Sequence, residues 1–230
     1  MSRFVHGPVC VAGVALVAVA GCGGGLTPAE PLAPPGRPTG EPSGRLAGAS
    51  LLAPADVQGE GFLPAERQDV FTGLRPHDPA CARMLALADV RRPDDTRGAP
   101  RGLAVFYRSQ PPATMAEHLV RLPPGAAGRY ITRVRAAVAG CPRIRMLVGP
   151  REAVLDRARA RRPAGVRDAV AVTYAGRGRG GIDLAMFWAR SRDDLLVVAA
   201  AGEAVAGPSM QRIAARAVHR LQDEHARPGR

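Results

Sequence analysis

Between Val166 and Gly202 the chain carries three strand-forming runs with little between them: "VRDAVAVTYAG", "GIDLAMFWARS" and "DLLVVAAAG", joined by "RGRG" and "SRDD". Each run favours β-structure, and each joint is short and turn-like. Connections this short reverse the chain, because parallel neighbours need a crossover of a dozen residues or more. The stretch therefore predicts a three-stranded antiparallel meander. It is followed by "PSMQRIAARAVHRLQDE", which places Met210, Ile213, Ala217 and Leu221 on one face of an amphipathic C-terminal helix.

Upstream, "SLLAPADVQGEGF" suits a short helical turn that its glycines end. "HDPACARMLALADV" carries a helix start, with Asp78 as N-cap and Pro79 at the first helical position. Its apolar face is Cys81, Met84, Leu85 and Ala88. "GLAVFYRS" alternates as a strand does, and "RIRMLVG" reads as another. "PPATMAEHLVRL" is expected to form a short helix, since Thr114 and Glu117 stand at capping-box spacing. "GAAGRYITRVRAAVAGCP" is a longer helix, with Ile131, Val134, Val138 and Cys141 on one stripe. "REAVLDRARARRPAG" stays open between helix and irregular strand. Helices precede and follow the meander instead of alternating with its strands. That is an α+β pattern, an antiparallel β-sheet packed by amphipathic helices.

The N-terminus is of another kind. One positive residue, Arg3, precedes an apolar run from about Val9 to Ala20, which ends in "VAGCGGG". The run is too short to span a bilayer, and the layout is that of a secretory signal. Val19-Ala20-Gly21-Cys22 resembles a bacterial lipobox, which implies cleavage before Cys22 and acylation of its sulfur. Residues 1–21 are then a lipoprotein signal peptide. Residues 22–48 form a lipidated cysteine and a Pro/Gly-rich stalk too poor in apolar groups to fold. Residues 49–224 suit one domain, and 225–230 read as a tail. The expected location is the extracytoplasmic face of the cell membrane, lipid-anchored.

That location governs how the cysteines and the charge are read. Cys10 leaves with the signal and Cys22 takes the lipid, so Cys81 and Cys141 remain as an even pair in an oxidising compartment. Both sit on core-facing stripes, and a disulfide between them is expected, with two buried free thiols as the alternative. The formal net charge is +12, without a single lysine. Export places nucleic acid out of reach, whereas anionic lipid headgroups and acidic wall polymers lie close by. Eight arginines fall between Arg143 and Arg167, and Arg157, Arg159, Arg161 and Arg162 are the candidate contact residues for such a surface.

The remaining motifs point away from catalysis. Gly176-x-Gly178-x-x-Gly181 matches a dinucleotide fingerprint in letters, but strands are expected on both sides where the fingerprint needs a helix after it. The absence of lysine rules out a Walker A loop, a Schiff base and a Ser-x-x-Lys nucleophile. No G-x-S-x-G occurs. His77, His118, His219 and His225 are expected on a loop, two polar helix faces and the tail, without metal-ligand spacing. Asp94-Asp95 and Asp193-Asp194 read as turns, and Trp188 as core. No cofactor, metal or catalytic residue is assigned. A hydrolase would have to reveal itself as a buried Ser/His/Asp cluster.

The order of these pieces is a lipobox and Pro-rich stalk, "LLAPADV", a cysteine-bearing helix, a helix ending in "AAVAGC", and "DLLVVAAAG" leading into a C-terminal helix. It resembles the PknH-type extracellular sensor domain of actinobacterial receptor kinases, which also occurs alone in secreted lipoproteins. The resemblance covers about Ser50–Leu221. It implies an antiparallel sheet with a cleft for an unidentified small ligand, and it brings no catalytic residues. The kinase sensors carry two disulfides, where this chain has cysteines for one. The expectation is a non-enzymatic, lipid-anchored sensor or ligand-binding protein. The alternative is an envelope scaffold or carrier whose arginine face meets anionic lipid or wall polymer.

Overall fold

Strand β9, Asp194–Gly202, is apolar on both faces, and the other elements are arranged around it. Leu195, Val197, Ala199 and Ala201 enter one apolar layer; Leu196, Val198 and Ala200 enter a second on the opposite side. Such a strand needs a neighbour along each edge and a cover over each face, since neither face can be left to water. In the computed structural model, which describes residues 50–66, 69–89, 101–161, 166–177 and 181–226, it has both.

Its neighbours are β8 (Asp183–Ser191) and β4 (Ala113–Arg121). Beyond β8 come β7 (Ala169–Gly176), β6 (Arg151–Arg161), β5 (Arg143–Val148) and the edge strand β2 (Leu74–Pro76). Beyond β4 come β3 (Arg101–Arg108) and the edge strand β1 (Leu63–Pro64). The result is an open nine-stranded sheet, order β1-β3-β4-β9-β8-β7-β6-β5-β2, antiparallel at every pairing. Helices α2 (Pro79–Ala88) and α3 (Ala126–Ala139) cover the first face. Helices α1 (Pro54–Gln58) and α4 (Pro208–Ala226) cover part of the second. The fold is mixed α+β.

The caps and ties follow from local chemistry. Asp78 accepts from the N–H groups of Ala80 (2.7 Å) and Cys81 (3.4 Å), satisfying two donors of the first turn of α2. At the other end of that helix the Leu87 carbonyl accepts from the Tyr130 hydroxyl at 2.7 Å and the Trp188 indole at 2.9 Å. Both side chains are fully buried, and each polar tip finds a partner there. The Cys81–Cys141 disulfide joins α2 to the end of α3.

One expected helix is a strand. Residues 113–121 form β4, in the interior of the sheet. Met115 and Leu119 face the α4 side while Val120 faces the α3 side, so the strand is buried on both faces and shows no alternation of apolar with exposed residues. The capping-box spacing of Thr114 and Glu117 is coincidental: Thr114 pairs with Ala201 and Glu117 with Val198. His118, expected on a polar helix face, is therefore buried on β4. Residues 151–161, left open between two states, form β6. Helix α4 extends to Ala226, which places His225 in its last turn instead of in a tail. Around the glycine motif, β7 ends at Gly176 and β8 begins at Asp183, so strands flank it. Cys22, the signal, the stalk, Asp94-Asp95 and Arg162 lie outside the described residues.

Candidate ligand cleft

Helix α4 packs on β8 and β9, and the apolar layer beneath it ends at β7. Among the described residues it takes in Ala169 and Ala171 but nothing from β6, β5 or β2. At that boundary the facing side chains are small. Ala171 and Thr173 of β7 and Ala185 of β8 look toward Ala214 and Ala215 of α4. Beside larger neighbours such as Phe187 and Met210, these short side chains do not fill the space between helix and sheet. A cavity of about 360 Å³ stays open there, with Phe187, Met210 and Val218 completing its walls.

A second cavity of about 430 Å³ adjoins it at the end where β8 turns into β9. Val166, Val218 and Gln222 line both, so the two adjoin as neighbouring lobes. The second lobe is polar: Arg167, Asp168, Arg190, Ser191 and Arg192 contribute to its wall. Arg190 donates to Asp168 at 2.5 Å, and Arg135 stands 3.6 Å from the other carboxylate oxygen. The hydrogen bond from Arg190 holds the Asp168 carboxyl below the ordinary carboxylate range, so it is charged at neutral pH. Arg167 and Arg192 have no ion-pair partner among the described residues. By strand alternation Arg190 shares the face of Trp188, and it lies against Gly128 of α3, so the Arg190–Asp168–Arg135 cluster belongs to the α3 side. Arg167 and Arg192 are the charges left to the α4 side of this lobe, which is net positive.

The pairing register separates the candidate arginines. Arg157 pairs with Tyr174 and Arg159 with Thr173, because the strand bulges between them. Tyr174 belongs to the layer under α3, and Arg157 donates to the Val138 carbonyl of that helix at 2.9 Å. Arg159 lies on the other face, beside the cleft-lining Thr173, and is exposed. Arg161 pairs with Ala171. Arg157 and Arg159 thus serve opposite sides of the sheet. Arg145 and Arg75, exposed at the β5–β2 edge, share the face of Arg159 by register and are unpaired among the described residues.

Two arrangements escaped the sequence. The first joins Ser191, His225 and Asp194: the serine Oγ lies 2.9 Å from His225 Nδ1, and His225 Nε2 lies 2.7 Å from Asp194 Oδ2. Asp194 is buried, and its carboxylate also accepts from Arg121 at 2.9 and 3.2 Å. This is the kind of set by which a hydrolase would have to reveal itself, except that Ser191 and His225 are only half-buried and the Arg121 guanidinium shares the acid. The arrangement ties the end of α4 to the β8–β9 turn. His219 pairs with Asp223 instead, at 2.9 Å, so the two helical histidines have separate partners. Among the described residues no group of three or more His, Cys, Asp or Glu side chains is placed to hold a metal ion.

The second is Glu117, fully buried beneath the N-terminal segment. Its Oε2 accepts from the Leu52 N–H at 2.6 Å, and its Oε1 has no partner among the described residues. Burial pushes its pKa up to about 7, against the opposing pull of the Leu52 hydrogen bond and of Arg220. A lone acid within the apolar run "TMAEHLVRL" was the available signal, but reading the run as a helix put that acid in solvent.

No family model matches the chain, and no curated protein matches it. Among solved structures, the extracellular domain of PknH from Mycobacterium tuberculosis is similar, with a TM-score of 0.57 at 13% identity, covering 76% of this chain and 94% of that one. An uncharacterised protein from Mycobacterium smegmatis, the Rv0999 ortholog, aligns over 76% of this chain and 96% of its own at 13% identity, but its TM-score of 0.40 carries no argument. At this identity the first likeness establishes a shared fold.

Proposed function

We propose that the chain is a non-enzymatic, lipid-anchored envelope protein whose folded domain binds a small ligand. The observation that carries this reading is the two-lobed cleft between α4 and the sheet, apolar in one lobe and basic in the other. Ligand sites are mostly apolar concavities with a few placed polar groups, and this cleft has that composition. Its fold is one found in an extracellular domain, and no described helix is long and apolar enough to cross a membrane. Anchoring is assigned to acylated Cys22, which puts the domain on a stalk at the extracytoplasmic face of the membrane. The experiment is native mass spectrometry of the protein taken from its own envelope. A co-purifying small molecule is expected, and it should be lost when Ala215→Phe narrows the apolar lobe. Protein that repeatedly comes away with its cleft empty would sink the ligand-binding reading. Treating the same preparation with a fluorophosphonate probe should leave Ser191 unlabelled; a label there would make the ligand a substrate.

A second reading, an envelope scaffold or carrier, is favoured by one observation. Arg75, Arg145 and Arg159 share one sheet face beyond α4 without ion-pair partners among the described residues. Such a face attracts anionic lipid or wall polymer through its long-range field.

A further inference from the structure

Resting on the ligand-binding reading, we propose that the cleft takes one single-chain amphiphile with an anionic head group. The hydrocarbon chain lies in the apolar lobe and the head among the arginines of the polar lobe. Val166, Val218 and Gln222 line both lobes, so the two adjoin, and a single molecule would place one part in each. The apolar lobe offers alanine, valine, Phe187 and Met210, an adaptable lining that gives an alkyl chain contact without asking for hydrogen bonds. At about 360 Å³ it sits at the small end of ligand cavities, which suits one chain and not two.

The polar lobe supplies the sign. Arg167 and Arg192 have no ion-pair partner among the described residues, whereas Arg190 is engaged with Asp168 toward α3 and takes no part in the lobe. Guanidinium groups pair with carboxylate or phosphate in fixed, fork-like geometry, so an acidic head is recognised there and a cationic one repelled. An extended peptide fits less well. The strands under the cleft, β7 and β8, are paired on both edges and have spent their backbone groups in the ladder. They offer no edge for strand addition.

The test is calorimetric titration of the full chain with octanoate, decanoate and dodecanoate, with decanol and decyltrimethylammonium as head-group controls and inorganic phosphate as a head without a tail. Affinity should rise about fourfold for each added methylene until the lobe is filled. Decanol and the cationic decyl compound should bind at least about tenfold more weakly than decanoate, and the Arg167→Gln/Arg192→Gln double variant should lose a similar factor for decanoate only. Ala215→Phe, at an exposed position of α4, should abolish binding of all the alkyl probes with the thermal midpoint retained. Equal affinity for decanol and decanoate, or phosphate binding as well as decanoate, overturns the amphiphile claim while leaving the cleft a ligand site. Decanoate binding that survives Ala215→Phe places the molecule elsewhere and also overturns it. If no alkyl probe binds, the amphiphile class is wrong; the broader ligand-binding reading falls only if the protein from the envelope also carries nothing.

Discussion

Glu117 is the residue whose environment departs furthest from what its chemistry prefers. Its carboxyl is buried on β4, with Arg220 and Asp56 as the charged groups that act on it. Its pKa rises from 4.5 to about 7 on folding, and desolvation is the main cause. Between those two values the folded chain holds a proton that the unfolded chain has given up. Stability is therefore full below about pH 4.5 and falls as pH rises through about 7, a loss of about 3 kcal/mol. Glu60 behaves in the opposite sense. Its bidentate pairing with Arg212, at 2.7 and 2.8 Å, lowers its pKa to about 2, so its contribution is lost only as pH falls below the ordinary carboxylate range. The two windows do not overlap, and Glu117 can be read alone. Glu117→Gln keeps an acceptor for the Leu52 N–H and removes the charge. The variant should melt with the parent at pH 5 and several degrees above it at pH 8. Identical pH slopes for the two proteins would show that the carboxyl finds solvent.

Among the elements, α2 and α3 are the pair that the covalent structure fixes. The Cys81–Cys141 bond closes 60 residues of chain, so reduction should cost about 4 kcal/mol by releasing that loop in the unfolded state. Thermal midpoints with and without reductant measure the loss; a midpoint that ignores reductant would mean the helices are held by packing alone. These two helices were legible in the sequence, through the Asp78-Pro79 start and the 3- and 4-residue spacing of Ile131, Val134 and Val138. Strands β7, β8 and β9 were legible too, because β-favouring runs with turn residues between them admit few other structures. Strand β4 was not. An interior strand buried on both faces loses its alternation, and a chance Thr-x-x-Glu supplied a helix signal in its place. β6 was hidden by alanine and arginine, residues that favour helices but that the hairpin partners β5 and β7 override. The cleft was hidden for a different reason. It depends on which side chains of α4, β7 and β8 come to face one another, and no local pattern in the chain records that.

At the scale of the whole molecule the two faces of the sheet differ, and this decides how its charge meets a surface. The first face is closed by α2 and α3, and Arg157 is spent there on the Val138 carbonyl. The second is covered only as far as β7, and beyond that it presents Arg159, Arg145 and Arg75. A formal net charge of +12 drives a general attraction to anionic lipid, but only charges on an open face come within a Debye length of it. The Cys22→Ser chain, which has no acyl acceptor, isolates this effect from anchoring. It should bind anionic vesicles at 10 mM salt, where the Debye length is about 30 Å, and release them at 1 M, where it is about 3 Å. Glutamine at Arg75, Arg145 and Arg159 together should remove most of that binding and leave the thermal midpoint nearly unchanged, since exposed charges contribute little to folding. Arg157→Gln should do the reverse, lowering the midpoint through the lost contact to α3 while vesicle binding persists. If the Arg157 variant loses vesicles as readily as the triple variant, the open face has no special role, and the attraction belongs to net charge alone.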